Sequence, residues 1–236
     1  VDKVWWTARP GVLQSAVGEK QVSKGNPADL LIQLADESFL GISAKSTKGK
    51  ADIGFKNPGV GAIGRALGID LAAAAKVVAV EELKLLGIDH LPAKKRKAFL
   101  RANPVIQRQT VATGKIILNI LRDFLFDHFA RLSDEQLREH LVQSWLDADG
   151  IYPYYIKVTG HGSVDKGFSA RIEDPIKSDK YKALMAEDIT LTRVGNDSIG
   201  VLAGGKRVMK MRFKYESEKM ASSLKMSGDP WKDTKK

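Results

Sequence analysis

Residues 26–46 read NPADLLIQLADESFLGISAKS. Two apolar runs, 29–34 and 39–45, flank a short polar break at Asp36-Glu37-Ser38. Each run has the length and content of a strand, and the break is short enough for a hairpin. An acid, Asp29, opens the first run, and Ser43-Ala44-Lys45-Ser46 closes the second. Side chains alternate across a strand, so Ser43 and Lys45 share one face and Ala44 takes the other. A register that sets Asp29 opposite Lys45 or its neighbour gathers three polar groups at one end of the hairpin. A slip of one residue sends them to opposite faces. The spacing leaves that register open.

The three groups suit one kind of chemistry. A carboxylate at a strand end can hold a divalent cation, and a lysine beside it can orient or help deprotonate water and offset phosphate charge. Burial and the cation's charge both favour lowering that lysine's pKa. The plainer alternative makes Asp29 a turn residue after Asn26-Pro27 and Lys45 the point where a strand reaches solvent.

An acid opening one strand, a hairpin, then a lysine motif on the next strand resembles the PD-(D/E)XK nuclease superfamily, which includes many restriction endonucleases. Pro27-Ala28-Asp29 stands for the first motif and Ser43-Ala44-Lys45 for the second, with Ser in place of the acid. GISAKS at 41–46 also resembles a restriction-enzyme-like variant whose second strand ends in Ser-x-Lys-Ser. The resemblance covers residues 12–56. It implies a mixed β-sheet core flanked by helices and a metal-dependent DNA endonuclease using Mg2+, for which Mn2+ can substitute. Asp29 would ligate the metal and Lys45 would position or activate water. A serine hydroxyl is a weaker ligand than a carboxylate, so Ser43 would lend its hydroxyl or merely hold the position. Glu19, on a helix just upstream, would be the additional metal ligand, ahead of Asp52 and Glu37. The alternative is a degenerate nuclease fold that binds DNA or RNA without cutting it. A third reading is a partner-binding protein whose charge serves another acidic surface. Cutting of palindromic duplex DNA would imply a homodimer by matched symmetry.

Composition agrees with a polyanionic partner. The chain of 236 residues carries a net charge of +10 and has a pI near 9.6. Such a balance favours nucleic acid first and an anionic membrane surface second. Residues 204–236 hold ten Lys/Arg against four Asp/Glu. Without cysteine, disulfides and thiolate metal sites are excluded. None of the four histidines pairs at a zinc-ligand spacing such as HExxH. The N-terminal VDKVWWTARPG has no apolar core, and Asp70, Lys76, Glu81, Glu82 and Lys84 interrupt the most apolar stretch. A soluble, cytoplasmic protein without a membrane partner is the expectation.

The rest of the chain reads as α+β. A short helix is expected over 11–22, with Val12, Leu13, Val17 and Val22 inward. A brief strand could follow at Asp52–Phe55. Helices follow over 69–86, 93–102 and 105–131 (one or two), the last with Ile116, Ile120, Leu121, Phe124, Leu125 and Phe129 inward. Ser133-Asp134-Glu135-Gln136 opens a further helix to about 148 through a capping box. After 150 the pattern turns to strands, with a hairpin closed by Gly204-Gly205 and a loosely ordered tail after 224. The composition suggests a nuclease-like segment over 1–68, a helical region over 69–150 and a β-rich basic part over 151–236, either as separate parts or as one domain. The helical middle is an insertion or a lobe beside a sheet that later strands complete.

Several motifs compete for function. Gly59-Val-Gly-Ala-Ile-Gly64 is a literal GxGxxG without the strand-turn-helix context of a dinucleotide site. No dinucleotide cofactor is expected, and the segment reads as a glycine loop beside the site. Lys48, Lys50 and Lys56 around it are candidate phosphate contacts, and the AKKRK run at 93–97 is either a DNA contact or a solvated helix start. Lys210, Arg212 and Lys214 alternate on one strand face, suited to phosphates or to a charged edge strand. His161 is placed in a turn, without partners for a catalytic triad.

Overall fold

A computed structural model describes residues 1–7, 11–18, 28–47, 58–142, 155–163, 165, 167–217 and 219–231. The chain is α+β and divides into two units, one of residues 1–53 with 141–186, the other of 54–140 with 187–236. Each unit is built on its own sheet, and their boundaries cross the three stretches suggested by composition.

The first unit holds β1 (Lys3–Trp6), α1 (Val12–Val17), β2 (Leu30–Gln33) and β3 (Phe39–Thr47). It adds β4 (Tyr155–Ser163), β5 (Gly167–Glu173) and α7 (Asp179–Ala186) from beyond the helical middle. The sheet order is β1-β2-β3-β4-β5. Only β3 and β4 run parallel; the other neighbours are antiparallel. Parallel neighbours need a long crossover, and here the connection contains the helices of the second unit. The expected 39–45 strand is present as β3, and Gln33 pairs with Phe39 across a loop that carries Asp36 and Glu37. Glu37 adopts φ 65°, a left-handed turn conformation, at this tip. The short helix is α1, with Leu13 fully buried, and it stops at Gly18. The proposed strand at 52–55 lies outside the described residues.

The second unit starts with α2 (Val60–Leu67), α3 (Leu71–Leu85), α4 (Ala93–Ala102), α5 (Pro104–Phe129) and α6 (Asp134–Leu141). Its sheet, order β6-β7-β8-β9, uses β6 (Ile189–Val194), β7 (Ser198–Ala203), β8 (Lys206–Tyr215) and β9 (Leu224–Pro230), all antiparallel. Helix α5 packs across β6, β7 and β8, and α3 and α4 pack on α5. The capping box forms as expected: Gln136 N–H donates to Ser133 Oγ at 3.2 Å and Ser133 N–H donates to Gln136 Oε1 at 3.1 Å. Gly204 and Gly205, at φ 55° and 75°, form the two-residue turn that a right-twisted hairpin requires.

Three expectations change. The glycine-rich 59–64 segment is no loop: Gly59 caps α2 and the rest lies inside it. Gly64 serves close packing there, since a Cβ would stand 2.5 Å from the Ile69 carbonyl oxygen. The stripe of α5 is rotated from the one read in sequence. Ile117, Leu118, Leu121, Leu125 and Phe129 are buried, while Ile116 and Phe124 face outward. Of the segment after 224, residues 225–230 belong to the edge strand β9, with Met226 fully buried, and residues 232–236 lie outside the described residues. Its Met-x-x-Asp-Pro sequence offered only a weak strand signal, and pairing with β8 supplies the order.

Candidate active site

The hairpin register that the sequence left open is fixed by Leu30 facing Ile42. Asp29, one residue before β2, therefore stands across from Ser43. Its backbone N–H donates to the Ile42 carbonyl at 2.7 Å, and its carbonyl accepts from Thr7 N–H at 3.1 Å. Both bonds fix the Cα, and the side chain then leans along β3. Oδ2 accepts the Ala44 N–H at 2.7 Å and lies 3.6 Å from Lys45 Nζ. The two charged side chains keep 40% and 38% of their surface exposed, so the pair is open to a solvent-borne ligand. An ion pair this exposed contributes only about 0–1 kcal/mol to stability, so stability gives little reason for it.

Register carries the same face across the sheet. Ser43 is level with Lys157 on β4, which is level with Glu173 on β5. Lys45 is level with Thr159 and then Arg171. Ser43, Lys157 and Thr159 are buried, at 2%, 8% and 6% exposure. Burial pushes the Lys157 amine down to about 8; Glu173 opposes that shift, and the charges of Lys45 and Lys180 on α7 add to it. Glu173 is also paired with Arg171 at 3.0 Å. Asp29, Ser43, Lys45, Lys157, Thr159, Arg171 and Glu173 thus form two rows of polar side chains on one sheet face.

Sequence reasoning found Asp29, Ser43 and Lys45, and the fold brings them together. It missed Lys157 and Glu173. The one legible signal, for Lys157, was a charge in the middle of the apolar strand YIKVTG, whose level with Ser43 depends on a parallel pairing no local pattern reveals. Ser43 is buried rather than presented with its hydroxyl to solvent. Glu37 sits at the hairpin tip, as the sequence suggested. Glu19, Asp52, Lys48, Lys50 and Lys56 lie outside the described residues. Lys210, Arg212 and Lys214 belong to β8 of the other unit, where they alternate with buried Met209, Met211 and Phe213. β8 is an inner strand, which overturns the charged-edge explanation for them. His161 lies within β4, not in a turn, and its ring nitrogens stand 2.9 and 3.1 Å from the Ser169 hydroxyl on β5.

The donor set bears on a metal. Among the described residues no three His, Asp or Glu side chains gather as a cation site. Mg2+ is commonly anchored by one or two carboxylates, with water and substrate phosphates completing its octahedron. Asp29 fits the role of a single anchor through Oδ1, since the described contacts of its carboxylate use Oδ2. Among the described residues no helix is long and apolar enough to cross a membrane. No family model matches the chain, and comparison with curated proteins and with solved structures finds no match.

Proposed function

We propose that the protein is a metal-dependent DNA endonuclease that hydrolyses phosphodiester bonds, on a core of the restriction-endonuclease kind. The observation that carries this reading is the approach of Asp29 and Lys45 across a hairpin, at 3.6 Å and half open to solvent. Asp29 would hold Mg2+ or Mn2+, which when bound supplies Lewis-acid activation of water and phosphate. Lys45 sits where its ammonium group can bind a phosphate oxygen and orient the attacking water. The Ala44 N–H bond to Asp29 Oδ2 holds the carboxylate at a fixed angle. Lys157, in the row next to that of Lys45, adds positive charge on the same face. The basic composition favours a polyanionic substrate.

A second reading has its own support. Ser43 stands buried where a second carboxylate is expected, and Oδ2 of Asp29 is already engaged by Ala44 and Lys45. A DNA- or RNA-binding protein on a degenerate nuclease core would look the same here.

Plasmid cleavage separates the two. Wild type is expected to nick or cut supercoiled DNA with Mg2+ or Mn2+ and to stop in EDTA. Asp29→Ala and Lys45→Ala should each slow cutting by about 10²-fold or more while leaving the melting temperature within a few degrees. Binding without cutting on supercoiled, linear and branched DNA would move the assignment to the second reading.

A further inference from the structure

The second sheet has two unlike faces. Ile199, Val201, Met209, Met211, Phe213 and Met226 point to α5 and are buried. On the opposite face, register aligns Thr192, Gly200, Lys210 and Asp229 in one row and Val194, Ser198, Arg212 and Ser227 in the next. Lys214 pairs directly with Lys225, and Arg207 is level with Leu202. Among the described residues of these strands, five cations therefore share this face with one carboxylate, Asp229, which stands 3.7 Å from Arg212.

Two details argue that this charge is arranged for a ligand. Like charges placed directly opposite on neighbouring strands destabilise a sheet, yet Lys214 faces Lys225. Arg207 is held in place: its guanidinium lies over the Trp231 ring, 4.9 Å from the centroid. The indole edge in turn presses on Gly200, where a Cβ would meet ring carbons at 2.2 and 2.5 Å.

The same contacts say which ligand. Non-specific single-strand binding depends on aromatic rings free to stack on bases. Trp231 is the aromatic side chain on this face among the described residues, and Arg207 and Gly200 occupy it. Phosphates remain as the recognisable element. Alternate residues of a strand stand about 6.8 Å apart, close to two base-pair rises of DNA at about 3.4 Å each.

We propose that this face of the second sheet seats duplex DNA through its phosphates, with Lys210, Lys214 and Lys225 as contacts and Arg207 as a contact fixed by Trp231. The inference rests on DNA as the substrate of the proposed nuclease, and it assigns duplex holding to the second unit and bond breaking to the first.

Fluorescence anisotropy of the full chain with a labelled duplex, in EDTA to prevent cutting, tests it across a salt series. Lys214→Ala with Lys225→Ala should weaken binding about tenfold or more and make the slope of log K against log salt shallower by about 2. Lys76→Ala with Arg108→Ala, on exposed positions of α3 and α5, should leave the slope unchanged. Asp29→Ala should bind like wild type while failing to cut. An unchanged slope in the Lys214/Lys225 variant, with wild-type binding and cutting intact, overturns this inference alone. Unlabelled single strands or RNA competing better than duplex overturns the choice of duplex. No DNA binding and no cutting by wild type overturns the inference and the nuclease reading together.

Discussion

The two sheets differ in what they bury. In the second unit, the apolar face is covered by α5 and the charged face is turned away from that helix. In the first, the face carrying Ser43, Lys157 and Thr159 is the buried one. Its other face leaves Val4 57%, Trp6 58% and Ile172 68% exposed. Hydrophobic burial explains the second arrangement directly. It explains the first only in part: Leu31 and Tyr155 are buried on the same face, yet a lysine is placed inside beside them at a cost and isoleucine is left outside. A sheet that departs from the ordinary preference is a candidate for function, because perturbed, partly buried charges concentrate at working sites.

The largest effect should come from the ordinary side of this comparison. Phe213 is fully buried between the second sheet and α5. Phe213→Ala should cost about 3–5 kcal/mol, read as a loss in urea midpoint. A loss below about 1 kcal/mol would mean that the second sheet's apolar face does not behave as a core.

The first sheet should respond in the opposite direction. Lys157 is buried and its amine is pushed down to about 8 from 10.5 by desolvation. Below pH 8 the folded chain keeps that buried proton and bears the whole cost. Between pH 8 and 10.5 the folded state releases it while the unfolded state still holds it, so stability climbs with pH in that window. Lys157→Met removes the cost and keeps the bulk. It should stabilise the protein at pH 7 by up to about 3 kcal/mol, and the gain should shrink between pH 8 and 10.5. If Lys157 supports the proposed chemistry, cleavage falls as stability rises. A destabilised Lys157→Met protein with a flat pH profile would show that the amine is well satisfied inside, and the contrast between the sheets would fail.

The comparison also sorts what the sequence made legible. Alternation on β8 was readable because Met209, Met211 and Phe213 obey the simple rule that apolar residues face the core. The hairpin of β2 and β3 was readable from its polar break, and the shared face of Ser43 and Lys45 from strand alternation, while the register that brings Asp29 to them was not. The α5 stripe was misphased because that helix has apolar residues around much of its circumference. Ile116 and Phe124 therefore compete with Ile117 and Leu118 for the inner face, and only the neighbours decide. Strand β4 was seen, but its place beside β3 was not: parallel pairing across an inserted unit is set by long-range packing. Lys157 stayed hidden for that reason, although its charge in an apolar strand was on view.

Gly200 gives a smaller effect within the second sheet. A methyl group there would collide with Trp231 and touch Thr192 Cγ2 at 3.0 Å. Gly200→Ala should cost about 1–3 kcal/mol through overpacking and release Trp231, visible as a red-shifted emission. Because Trp231 holds Arg207, the same change should weaken duplex binding on the proposed face. An unchanged emission spectrum would mean that the indole has room to move aside.

The smallest expected effect tests the first sheet's inverted burial most directly. Ile172 lies on β5 with Ala44 and Val158 in its row, and 68% of its surface is exposed. Substitutions at positions this open usually change stability by no more than about 0.5 kcal/mol. Ile172→Thr keeps the β-branch and strand preference, so it isolates the loss of apolar surface. Val201→Thr is its counterpart on the covered face of the second sheet, where the residue is 0% exposed. That change sets a hydroxyl among apolar neighbours and should cost about 1–3 kcal/mol. The pair of urea midpoints therefore measures which face each sheet truly buries. A cost at Ile172 as large as that at Val201 would mean that the open face of the first sheet is covered in solution. The polar face opposite would then lose its standing as the only buried one, while the Asp29–Lys45 geometry would remain.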